Sequence, residues 1–132
     1  MRFLMLMIPN IKQDRPGGWM PSAEAVAAMA RYNDELGKAG ALLALDGLQP
    51  PEKGARVTFG ASGKVSVTDG PFAEAKEVIG GYWIIQVKSL DEAKAWARKC
   101  PGDEGNVIEI RQIFELSDFP ADVQKAAGQP LR

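Results

Sequence analysis

The sequence predicts an α+β fold in which two helices and four core strands alternate, with a β-hairpin inserted midway. Three observations carry that expectation. "RFLMLMI" at 2–8 and "GYWIIQV" at 81–87 are short, nearly unbroken apolar runs of strand length. Two amphipathic stretches each begin at a serine suited to capping a helix, Ser22 and Ser89. Between them, "ARVTF" and "KVSV" alternate apolar and polar residues around the Gly-rich connection "GASG".

Each element follows in order. Residues 2–8 end at Pro9-Asn10 and read as a strand covered on both faces. The apolar start has one positive charge, but it is too short for a signal core or a membrane span, and no small-residue cleavage site follows. Pro9, Pro16, Gly17 and Gly18 make residues 9–20 a loop, with Trp19 and Met20 as its expected anchors. From Ser22, the residues Ala25, Met29, Tyr32, Leu36 and Ala39 recur at helical spacing, and Gly40 stops the helix. "ALLAL" is a short strand that ends at Asp46-Gly47, where Asp46 reads as a turn former. The hairpin comes next, then the turn Asp69-Gly70-Pro71-Phe72, whose Phe72 is expected to plug into the core. A strand over about 81–87 leads to Ser89 and Glu92, an S-x-x-E capping box. That helix points Leu90, Ala93, Trp96, Ala97 and Cys100 at the core and stops at Pro101-Gly102. "VIEIRQI" at 107–113 is the last strand. The tail beyond Glu115 lacks periodicity and reads as an arm or a loose end.

The order β-α-β-β-α-β with an inserted hairpin is the ferredoxin-like arrangement. Its two helices share one face of the sheet, which leaves the other face bare. The strands at 2–8 and 82–87 are apolar on both faces, so a monomer would expose a large apolar patch. Face-to-face pairing of two sheets resolves this, giving a homodimer with a barrel-like interior, a dimeric α/β barrel. The 132 residues suit one domain, assigned to 1–119, with 120–132 as a C-terminal tail.

Composition narrows the function. Sixteen basic against seventeen acidic residues, without a basic cluster, argue against nucleic-acid binding. One cysteine cannot form an internal disulfide and fits a reducing cytoplasm. There is no glycine-rich phosphate loop, no His/Cys cluster and no calcium-loop spacing, so no cofactor or metal is expected.

"TDGPFAEAKE" at 68–77 resembles the signature of the DGPF-domain proteins, a YciI-related family. Ala75 stands where the usual form has Thr. "YNDELGKAGALLALDGLQP" at 32–50, "GGYWIIQVKSLDEAKAW" at 80–96 and "IEIRQIFE" at 108–115 agree with it, so the resemblance covers about 1–119. It implies a ferredoxin-like fold and a dimeric α/β barrel. Some relatives are dehalogenase-type lyases in which an Asp-His pair is the proposed acid/base machinery. Others are encoded beside sigma factors of the extracytoplasmic-function type. This chain contains no histidine. By register, Met29 takes the helix position where many relatives carry His, and Gln49 replaces the His of a "GLHP" segment.

Asp69 is the candidate acid or base: either its carboxylate accepts turn N–H groups, or desolvation at a cavity rim raises its pKa. Glu74 and Lys76, with Glu77, either form a solvated, locally paired face or face a ligand. Alternation along the last strands puts Ile108 and Ile110 toward the helices, as it does Trp83, Ile85 and Val87. Tyr82, Gln86, Glu109 and Arg111 then form a polar island on the bare face. There Arg111 either holds an anion in two-point fashion or pairs with a glutamate across the dimer. Tyr32 reads as core, and Cys100, at a helix C-terminus, is rejected as a nucleophile. Two functions follow. One is an accessory or regulatory homodimer that binds a small polar or anionic ligand between its sheets. The other is a cofactor-free lyase that uses Asp69 without a histidine partner.

Overall fold

The computed structural model describes residues 1–10, 20–72 and 77–128. Along the chain run β1 (Arg2–Ile8), α1 (Ala23–Lys38), β2 (Leu42–Gly47), β3 (Ala55–Phe59), β4 (Val65–Asp69), β5 (Gly81–Gln86), α2 (Leu90–Arg98), β6 (Val107–Gln112) and α3 (Ala121–Ala127). Four strands form one sheet in the order β2-β5-β1-β6, with every neighbouring pair antiparallel. This order is compatible with the ferredoxin-like arrangement, and the chain is α+β as the sequence predicts. Strands β3 and β4 form a separate two-stranded sheet. In one chain the larger sheet is open and closes no barrel.

Local chemistry sets the helix ends. The Ser22 hydroxyl accepts the Ala25 N–H at 3.1 Å, and α1 ends at Ala39 before Gly40, whose φ is 73°. The Ser89 hydroxyl accepts the Glu92 N–H at 3.1 Å. The Glu92 carboxylate reaches back one residue further than an ordinary capping box and takes the Lys88 N–H at 2.8 Å.

The core lies between the helices and one face of the sheet. Phe3, Met5, Leu36 and Ile85 are fully buried there, joined by Tyr32, Ala41, Trp83, Val87 and Ala93. Tyr32 packs edge-on against Trp83 with ring centroids 6.0 Å apart, and its hydroxyl donates to the Trp96 carbonyl at 2.7 Å. Ile108 and Ile110 pack against the same core. The first two residues are tied to neighbouring segments: the Met1 ammonium donates to the Val87 carbonyl, and Arg2 forms a two-point ion pair with Glu115 at 2.6 and 3.2 Å.

Several expectations are corrected. Met20 is 77% exposed, so it anchors nothing as a side chain, and Trp19 lies outside the described residues. Leu90, the first residue of α2, is exposed rather than part of the core. Phe72 is half-buried outside the core, under the Arg56 guanidinium at 3.9 Å. Beyond Glu115, where the sequence shows no periodicity, the chain makes a short 3₁₀ turn and then α3; Phe114 stacks on Phe119 with centroids 4.8 Å apart.

Candidate functional site

Register places the candidate residues. Phe3 and Met5 face the helices, so Leu4, Leu6 and Ile8 alternate onto the open face of the sheet. On β5, Trp83 and Ile85 are buried, so Tyr82, Ile84 and Gln86 share the open face. On β6, Glu109 stands opposite Leu6 and Arg111 opposite Leu4. All four expected polar residues therefore lie on one face.

They do not form one island. Tyr82 is opposite Leu6 on one side and Asp46 of β2 on the other. Its hydroxyl donates to Asp46 Oδ2 at 2.6 Å. Asp46, read from sequence as a turn former, is thus half of a cross-strand pair. The carboxylate holds the Tyr82 phenol above its ordinary range, first through this hydrogen bond and then through burial and charge. On the far edge, Arg111 Nη1 meets Glu109 Oε2 at 3.5 Å. The apolar column of β1 runs between the two pairs, which sit on strands about 10 Å apart. Gln86 lies at the end of the face, opposite Arg2. The open face therefore carries a strip of Leu4, Leu6, Ile8 and Ile84 with a hydroxyl–carboxylate pair on one flank and a guanidinium–carboxylate pair on the other.

A cleft opens at one end of the molecule, where α1 meets β2 and β5. Its volume is about 390 Å³. Ala25, Val26 and Met29 of α1, Leu45 of β2 and Trp83 of β5 give it an apolar wall. Asn33 accepts the Trp83 indole N–H at 2.8 Å, and the segments carrying Asp46 and Tyr82 complete the rim. Gly81 leaves room here: a Cβ would stand 3.0 Å from the Asp46 carbonyl oxygen, so the β2 backbone would have to shift by a few tenths of an ångström. This cleft was not legible in the sequence: apart from Tyr82, expected on the polar island, and Met29, at the helix position where relatives carry His, its residues read as core or turn or carried no signal, and the glycines Gly47, Gly80 and Gly81 are the sequence feature that marks the close backbone approach.

Asp69 ends β4 opposite Ala55 and is exposed. Among the described residues its carboxylate has no hydrogen-bond or ion-pair partner. Among the described residues, neither the turn-acceptor geometry nor a proton-sharing neighbour is present at Asp69. Glu74 and Lys76 lie outside the described residues. Cys100 is half-buried, and burial pushes its thiol up to about 11, away from thiolate chemistry. Among the described residues no helix is long and apolar enough to cross a membrane.

An uncharacterised protein of Rhizobium meliloti (strain 1021) is 38% identical over 73 residues, which are 55% of this chain and 56% of that protein. The match thus spans about half the length of that curated relative. The model of the YCII-related domain matches residues 1–117, from the first residue of β1's approach to the 3₁₀ turn after β6, and the chain belongs to the YCII-related domain family.

Proposed function

We propose that this protein is a homodimer, built as a dimeric α/β barrel, that binds a small anionic ligand with an apolar body between its two open sheet faces. It acts in an accessory or regulatory capacity, and its lone cysteine suits a reducing cytoplasm. One observation carries the reading: an apolar strip flanked by two polar pairs on the sheet face opposite the two helices. The strip accommodates the ligand's body. Arg111, only loosely engaged by Glu109, supplies a two-point contact for a carboxylate or sulfonate. The Tyr82–Asp46 pair takes a polar group on the opposite flank. The cleft under α1 adds a second apolar seat, within the roughly 300–1,000 Å³ range of small-molecule sites.

The test uses 8-anilinonaphthalene-1-sulfonate, an apolar body with one anionic group, as a fluorescent probe of the native protein. Saturable binding is expected, and Arg111→Met should weaken it at least tenfold. The Arg111 side chain is 71% exposed, so its replacement leaves the fold intact. Equal binding to both proteins would move the anion site away from β6.

A further inference from the structure

Alternation makes the β3–β4 hairpin two-faced. Val57 pairs with Val67 and Phe59 with Val65, so these four side chains share one face, with Ala55 and Asp69 at its base. The other face carries Arg56, Thr58, Ser66 and Thr68. Arg56 lies over the Phe72 ring, so the polar face is the one engaged with its own chain. The apolar face is left outside: Val57 is 53% exposed, Phe59 81%, Val65 56% and Val67 66%. A lone two-stranded hairpin is marginal in water, and an uncovered apolar face of this kind is a docking surface.

We propose that this hairpin is an arm that grips a second copy of the chain, with its apolar face laid against that copy beside the paired sheet faces. The proposal rests on the homodimer reading above. Area argues for this occupant. Four strands about 4.8 Å apart and about 20 Å long present a face of roughly 400 Å². A stable interface needs roughly 800 Å² on each side, so sheet-on-sheet contact alone falls well short. Two-fold symmetry gives each copy one arm to offer and one to receive, which closes much of that gap with apolar surface already present on the chain. Phe59, at the end of β3, is the anchor, as a large aromatic in an interface usually is. The arm also delivers Asp69, on the same face, to the site of the other copy, so the ligand pocket is incomplete in one chain.

Sedimentation equilibrium of the full-length protein tests this. The wild type should sediment at twice 14.3 kDa. Phe59→Asp should raise the dimer dissociation constant at least a hundredfold. The near-isosteric double variant Val57→Thr/Val67→Thr keeps strand propensity and should raise it about tenfold. Thr58→Asp, on the polar face, should leave it unchanged. A monomeric wild type would overturn both the dimer and the arm. A dimeric wild type whose Phe59 and valine variants dissociate no more readily would overturn the arm alone and leave the dimer standing.

Discussion

Tyr82 and Asp46 show how a site residue escapes a sequence reading. Asp before Gly is a turn signal, and Asp46-Gly47 follows a strand, so a turn was the natural expectation. The pair depends on β2–β5 register, which one sequence does not reveal, and a bulge between Leu42 and Ala44 shifts that register. Tyr82, Glu109 and Arg111 were legible as open-face residues because period-two alternation needs only one buried neighbour to set the phase. Their division into two flanks was not, because strand order interposes β1. The pair also has a titration signature. The chain has two tyrosines, and both phenols are held above their ordinary value: Tyr32 chiefly by burial, Tyr82 chiefly by the Asp46 carboxylate. Asp46→Asn should therefore lower the titration of one phenol and leave the other in place, read from phenolate absorbance in alkali. A raised phenol favours the folded state fully below the unfolded value of about 10, and that contribution is lost as pH rises through the folded value. The variant's alkaline stability curve should be correspondingly flatter. Two unchanged titrations would show that the hydrogen bond does not hold in solution.

At the scale of elements, the strand and helix bounds were legible wherever punctuation is strong. Ser22, Ser89, Gly40 and Pro9 each end or open an element within a residue or two of where the sequence places it. α3 was not legible because none of its residues is buried, so no apolar stripe marks it. The Asp69-Gly70-Pro71-Phe72 segment was legible as a turn, but the reason for its glycine was not. The Gly70 N–H donates to the Gly54 carbonyl at 2.9 Å, which closes the base of the hairpin. A Cβ on Gly70 would overlap the Pro51 carbonyl oxygen, a backbone atom that cannot swing away. The 3₁₀ turn Pro51–Lys53 therefore sits directly against the end of β4, a contact between segments distant in sequence. Gly70→Ala should separate the hairpin base from this turn and cost roughly 2 kcal/mol or more, measured by urea unfolding. A loss within about 0.5 kcal/mol would mean that the turn yields, and that the hairpin's orientation is not set at its base.

For the whole molecule, the sidedness of the core was readable from the sequence, since period-two alternation sets which residues of each strand face the helices. What covers the second face was readable only as a need. The single chain leaves Leu4, Leu6, Ile8 and Ile84 partly open, and leaves the hairpin's Phe59 and three valines largely so. The buried core is correspondingly small for 132 residues, with Phe3, Met5, Leu36 and Ile85 as its only fully buried large side chains among those described. In the proposed homodimer, pairing would supply much of the stability of such a fold and would tie that stability to concentration. For a dimer that unfolds to two chains, a hundredfold rise in protein concentration is worth RT ln 100, about 2.7 kcal/mol. Unfolding entropy near the midpoint is about 2.1 cal/mol/K per residue, or about 0.55 kcal/mol/K over two chains of 132 residues. The midpoint should therefore rise by about 5 °C between 2 and 200 μM, values on the order of those accessible to circular dichroism. A folded monomer has no such dependence, because both sides of its equilibrium contain one molecule. A midpoint that stays fixed across that range would place the apolar strip and the arm in water, and the stability of the fold would then have to come from the single core alone.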